Sequence, residues 1–62
     1  MAISLGGIRD GAYFFGIERV CDHYVVFVTR NKVKLEAFAV DNFSQAEKKL
    51  TELIQQYKPY FN

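Results

Sequence analysis

The sequence predicts a two-layer α+β domain in the order βββα, with an antiparallel three-stranded sheet packed on one C-terminal helix. Two observations carry this reading. Residues from Ala12 to Val40 fall into strand-length runs rich in Val, Phe, Tyr and Thr, broken by short connections. From Phe43 onward the apolar residues recur at three- and four-residue spacing, the period of one helix face. A sheet with one apolar face and a helix with one apolar stripe bury each other as two layers. The 62 residues make one small domain, 1–62.

Residues 1–11 form either a flexible arm or a short edge strand, the fourth of the sheet. Ile3 and Leu5 alternate with small residues, and Gly6-Gly7 and Asp10-Gly11 are turn signals. Ala12–Val20 is the first firm strand, with Tyr13, Phe15 and Ile17 on one face and Phe14, Gly16 and Glu18 on the other. Gly16 within it signals a bulge or a close backbone approach. Cys21-Asp22-His23 is a short connection, for which an antiparallel hairpin is the simplest arrangement.

Tyr24–Thr29 and Lys32–Val40 pair next, across a turn at Arg30-Asn31. That register puts Tyr24, Val26 and Val28 on one face with Val33, Leu35, Ala37 and Ala39. The opposite face then carries Val25, Phe27 and Thr29 against Lys34, Glu36 and Phe38. One face is wholly apolar; the other mixes aromatic and charged groups.

The helical stripe is Phe43, Ala46, Leu50, Leu53, Ile54 and Tyr57. Ser44 and Glu47 have the spacing of a capping box, with Asp41 and Asn42 as competing caps. Lys48 and Glu52 are spaced to pair on the solvent side. Pro59 ends the helix, because the residue before a proline avoids the α conformation. Tyr60 and Phe61 are apolar enough to fold back on the core.

Composition narrows the function classes. A chain this short buries only about 60% of the surface it exposes when unfolded. One Cys excludes an internal disulfide, so the remaining supports are an aromatic core of six Phe and four Tyr, or association. A formal charge of +1 is neither the basic excess of a phosphate-neutralising domain nor the acidic excess of a DNA mimic. No basic start followed by a long apolar run opens the chain, so a cytoplasmic location is expected.

Little in the sequence resembles an active site. Cys21 with His23 could supply a nucleophile and base, or two metal ligands, but a zinc site needs more donors than one chain offers. The plainer reading is a turn favoured by Asp22. The Gly6–Gly11 segment leads into a strand rather than a helix and no Lys-Ser/Thr pair follows, which favours a turn over a phosphate-cradling loop. No enzyme activity, cofactor or metal is expected.

The mixed sheet face is the natural binding surface. Val25, Phe27, Lys34, Glu36 and Phe38 make an aromatic centre with a charged rim, suited to a protein partner or to self-association as a homodimer. A regulator or inhibitor, such as a phage-type accessory protein, fits that description. The alternative is a sheet-based nucleic-acid binder using Arg30, Lys32 and Lys34 beside the same aromatics.

Two layouts support that alternative by resemblance. Gly16-Ile17, Tyr24–Val28 and Phe43-Ser44-Gln45-Ala46-Glu47 are similar in arrangement to integrase N-terminal domains. In those, a three-stranded sheet enters the major groove and a helix backs it. With Ile3–Leu5 as a strand, the order also resembles the four-strand-and-helix coactivator type, which implies dimerisation and single-strand binding. The expected sheet face departs from the first type in being aromatic and mixed in charge rather than rich in Arg.

Overall fold

A computed structural model describes residues 1–61. Its strands are β1 (Ala2–Asp10), β2 (Tyr13–Val20), β3 (His23–Arg30) and β4 (Val33–Val40). Helix α1 (Phe43–Tyr57) follows, then a 3₁₀ turn (Lys58–Tyr60). The sheet is an antiparallel meander in the order β1-β2-β3-β4. The α+β class and the C-terminal helix match the sequence reading. The fourth strand is real and long, nine residues rather than a short Ile3–Leu5 segment.

Each hairpin turns in two residues, and each turn has positive φ at its first position: Gly11, Cys21 and Asn31. Lys32 shares that conformation, so Asn31-Lys32 has positive φ at both central residues, as a type I′ turn requires. The last turn is therefore one residue later than the predicted Arg30-Asn31. Arg30 pairs with Val33 and Thr29 with Lys34.

A one-residue bulge then changes everything beyond it. After Thr29↔Lys34 the next pair is Val28↔Glu36, leaving Leu35 as the extra residue. Side chains alternate with period two, so one inserted residue exchanges the faces of all that follow. Glu36, Phe38 and Val40 lie opposite Val28, Val26 and Tyr24 on the helix side; Ala37 and Ala39 lie opposite Phe27 and Val25 on the other. The predicted placement of Glu36 and Phe38 on the outer face is corrected by this bulge.

The core is Phe15, Ile17, Val26, Val28, Ala46 and Leu53, all buried. Tyr13, Tyr24, Phe38, Val40, Leu50, Ile54, Tyr57 and Phe61 pack around it. Phe61 does fold back, with its ring centroid 5.7 Å from Tyr13 and 5.8 Å from Phe15. Tyr60 stays exposed. Offset aromatic contacts of this kind add to the area they bury.

Asn42 caps the helix, its side-chain oxygen accepting from the Gln45 N–H at 2.9 Å. The Gln45 side chain accepts in turn from the Asp41 N–H at 3.0 Å. The first satisfies a donor that the helix start leaves free, and the second ties down the residue before the cap. The box is thus Asn42/Gln45, two residues earlier than Ser44/Glu47. On the solvent side Lys49, not Lys48, meets Glu52, at 3.5 Å.

Candidate interaction face

Helix α1 covers β2, β3 and β4 on one side of the sheet only. The outer side carries no layer. Its residues follow from the register: Arg9 lies across from Phe14, Phe14 from Thr29 and Thr29 from Lys34. In the adjoining row Gly7 faces Gly16, Gly16 faces Phe27 and Phe27 faces Ala37.

Glycine makes room for the two rings. A Cβ on Gly16 would stand 2.6 Å from Phe27 Cζ and 2.9 Å from Phe14 Cε2. A Cβ on Gly7 would stand 2.5 Å from Phe14 Cζ. Both rings therefore lie over backbone that has no side chain of its own, a recurrent way of shielding glycine in a sheet. Gly16 marks a close approach rather than a bulge, one of the two outcomes its place in a strand predicts. The ring centroids are 6.0 Å apart, inclined at 44°.

A cation caps each end of the pair. Arg9 Cζ is 5.4 Å from the Phe14 centroid, and Lys34 Nζ is 5.2 Å from that of Phe27. Both lie within the range of cation–π attraction. Across four strands the face reads Arg9, Phe14, Phe27, Lys34. Val25 and Glu18 lie opposite each other on the same side.

Of the partner-binding residues predicted from sequence, Val25, Phe27 and Lys34 lie on this face. Glu36 and Phe38 do not. Glu36 Oε2 accepts from the Tyr57 hydroxyl, with Gln56 Nε2 at 3.5 Å. That contact and burial push the Tyr57 hydroxyl up to about 12. Phe38 packs at the core under Lys49, whose Nζ is 4.2 Å from the ring centroid. Both residues bind the helix to β4.

The alternative nucleic-acid set also disperses. Lys34 is on the outer face, Lys32 is in the turn, and Arg30 lies over Tyr13 on the helix side, 5.7 Å from the ring centroid. Arg9 replaces them as the second cation of the face. Sequence reasoning missed it by leaving 1–11 uncommitted. A hairpin turn read at Gly11-Ala12 would have carried Arg9 directly opposite Phe14.

Cys21 is exposed in the β2–β3 turn, and His23 Nδ1 is 3.5 Å from Asp22 Oδ1. No hydrogen bond joins Cys21 to His23 among the described residues, and there no group of three His, Cys, Asp or Glu side chains could hold a metal ion. No helix of the described residues is long and apolar enough to cross a membrane. Comparison with protein-family models, with curated proteins and with solved structures finds no match for this chain.

Proposed function

We propose that this chain is a small non-enzymatic interaction module, a regulator or inhibitor that binds a protein partner through the open face of its sheet. The observation that carries this reading is the Phe14–Phe27 pair, laid over Gly7 and Gly16 and held between Arg9 and Lys34. An apolar centre with a charged rim is the usual anatomy of a protein interface. Rings already packed against backbone lose little freedom on binding, which favours affinity. The complement is an apolar surface edged with carboxylates, because both rim groups beside the rings are cations.

The same row supports a second reading, a single-stranded nucleic acid. Bases stack on aromatic rings while flanking cations meet phosphates. With Glu36 turned to the helix side, Glu18 opposite Val25 is the carboxylate left on the face to oppose it.

One experiment separates the two. The tagged chain and its Phe27→Ala variant are used for capture, with and without excess single-stranded oligonucleotide, across a salt series. A protein retained at high salt, lost with Phe27→Ala and unaffected by oligonucleotide supports the first reading. Direct oligonucleotide binding that falls steeply with salt supports the second. Identical behaviour of the parent chain and the variant in both assays sinks both.

A further inference from the structure

We propose that this chain forms a two-fold symmetric dimer by antiparallel pairing of β1 with β1, giving one continuous eight-stranded sheet. The contact uses a strand edge, not the aromatic face, and stands independently of the function proposed above. It begins from an imbalance: one helix cannot cover four strands. Among the described residues no Cα of helix α1 comes within 8 Å of a Cα of β1. Ile3 is left 53% exposed, Leu5 45% and Ile8 50%, three large apolar side chains on one edge strand.

The faces of β1 show what completes it. Its register with β2 breaks between Ser4 and Gly6, so a bulge at Leu5 sits at the strand's middle. Ile8, opposite Phe15, and Ile3, opposite Arg19, lie on the helix side. Ser4, Gly7, Ala2 and Arg9 lie on the outer side. Outward from the bulge the faces are thus symmetrical: Ser4 matches Gly7, Ile3 matches Ile8, and Ala2 matches Arg9.

A second copy, related by a two-fold axis between Leu5 and Gly6, therefore pairs with every face preserved. Ile3 of each copy lies opposite Ile8 of the other, twice by symmetry. A slip of one residue sets Ile3 against Arg9 or Gly7, on contrary faces, so such slips are disfavoured. An edge bulge usually discourages pairing. Here it lies on the axis, where the two bulges meet and leave both halves of each strand free to pair.

The backbone agrees. Asp10 and Tyr13 flank the two-residue turn and bond to each other, so residues in phase with Asp10 turn their polar groups to β2. Those of Ala2, Ser4, Gly7 and Arg9 point outward. The same axis opposes Ala2 to Arg9 and Ser4 to Gly7, allowing about eight interchain hydrogen bonds. Strand addition of this kind takes affinity from the main chain and register from alternate side chains. Both are present on β1.

The test is sedimentation equilibrium of the whole chain over a concentration series, with three variants checked for unchanged folding by circular dichroism. The parent chain should sediment as twice 7.2 kDa. Ile3→Glu and Ile8→Lys should each weaken the dimer by about tenfold or more, since each spoils two symmetry-related pairs. The double variant Ile3→Glu/Ile8→Lys should recover it, because each new carboxylate then faces a new ammonium across the axis. A monomeric parent chain, single variants that dimerise normally, or a double variant no better than the singles overturns the proposal.

Discussion

β1 and β4 are both edges of one sheet and both carry a one-residue bulge, yet the two bulges have opposite consequences. In β4 the bulge lies next to the hairpin turn and rotates Glu36, Phe38 and Val40 under the helix. The helix then covers the half of β4 beyond the bulge: Tyr57 and Gln56 reach Glu36, and Lys49 covers Phe38, while Val33 and Leu35 stay exposed. In β1 the bulge lies mid-strand, no helix is above it, and Ile3 and Ile8 stay half-exposed. The lesson is positional. A bulge near a turn redirects most of a strand into the core; one at the centre divides a strand into two matching halves.

The largest expected effect breaks the helix-covered half of β4. Phe38→Ala removes a half-buried ring from both the core and Lys49, costing about 2–3 kcal/mol, below the range for a fully buried Phe. Ile8→Ala on β1 should cost the monomer well under about 1 kcal/mol, as an exposed site does. Urea denaturation of the two variants at low concentration checks the contrast. Equal losses would mean that β4 is no better covered than β1.

Next in size is the Glu36–Tyr57 contact. Tyr57→Phe should cost about 1–2 kcal/mol, the worth of a hydrogen bond to a charged group at a part-buried site. Its pH dependence has a definite sign. An unfolded tyrosine ionises near 10, whereas Tyr57 is pushed up to about 12, first by its hydrogen bond to Glu36. Between those values the unfolded chain gives up a proton that the folded chain keeps. Stability is then fully present below about pH 10 and falls as pH rises towards 12. In Glu36→Gln that loss should shrink, a difference that denaturation curves at successive pH values would reveal.

Smaller still are the turns. Cys21, Asn31 and Lys32 hold positive φ without being glycine. Cys21→Gly and Lys32→Gly should each raise stability by up to about 1 kcal/mol, since a left-handed L-residue carries a cost of that order. Thermal melts suffice to check them. A fall in melting temperature for either would mean that its side chain contributes more than its backbone costs.

Much of this architecture was legible in the sequence. The stripe from Phe43 to Tyr57, the alternation of Tyr13, Phe15 and Ile17, and the stop at Pro59 each follow from periodicity or backbone restriction. The outer face was legible only in part. Val25, Phe27 and Lys34 were placed correctly because β3 is regular and Lys34 precedes the bulge. Glu36 and Phe38 were misplaced because no Gly or Pro marks a bulge at Leu35. There, alternate apolar residues on both sides of a half-covered strand leave the two registers nearly equal in pattern. Arg9 was missed for the opposite reason: Gly6-Gly7, which looked like the end of a strand, serve a bulge and a bed for Phe14.

The central claim is that β1 is the edge no helix covers and that a second copy completes it. Amide hydrogen exchange, followed residue by residue in dilute and concentrated solution, tests this most directly. Ser4, Gly7 and Arg9 should exchange quickly when dilute and slow markedly on concentration, while amides of β4 keep one rate throughout. Exchange at those three amides that is independent of concentration, or protection gained on β4 instead, would contradict it.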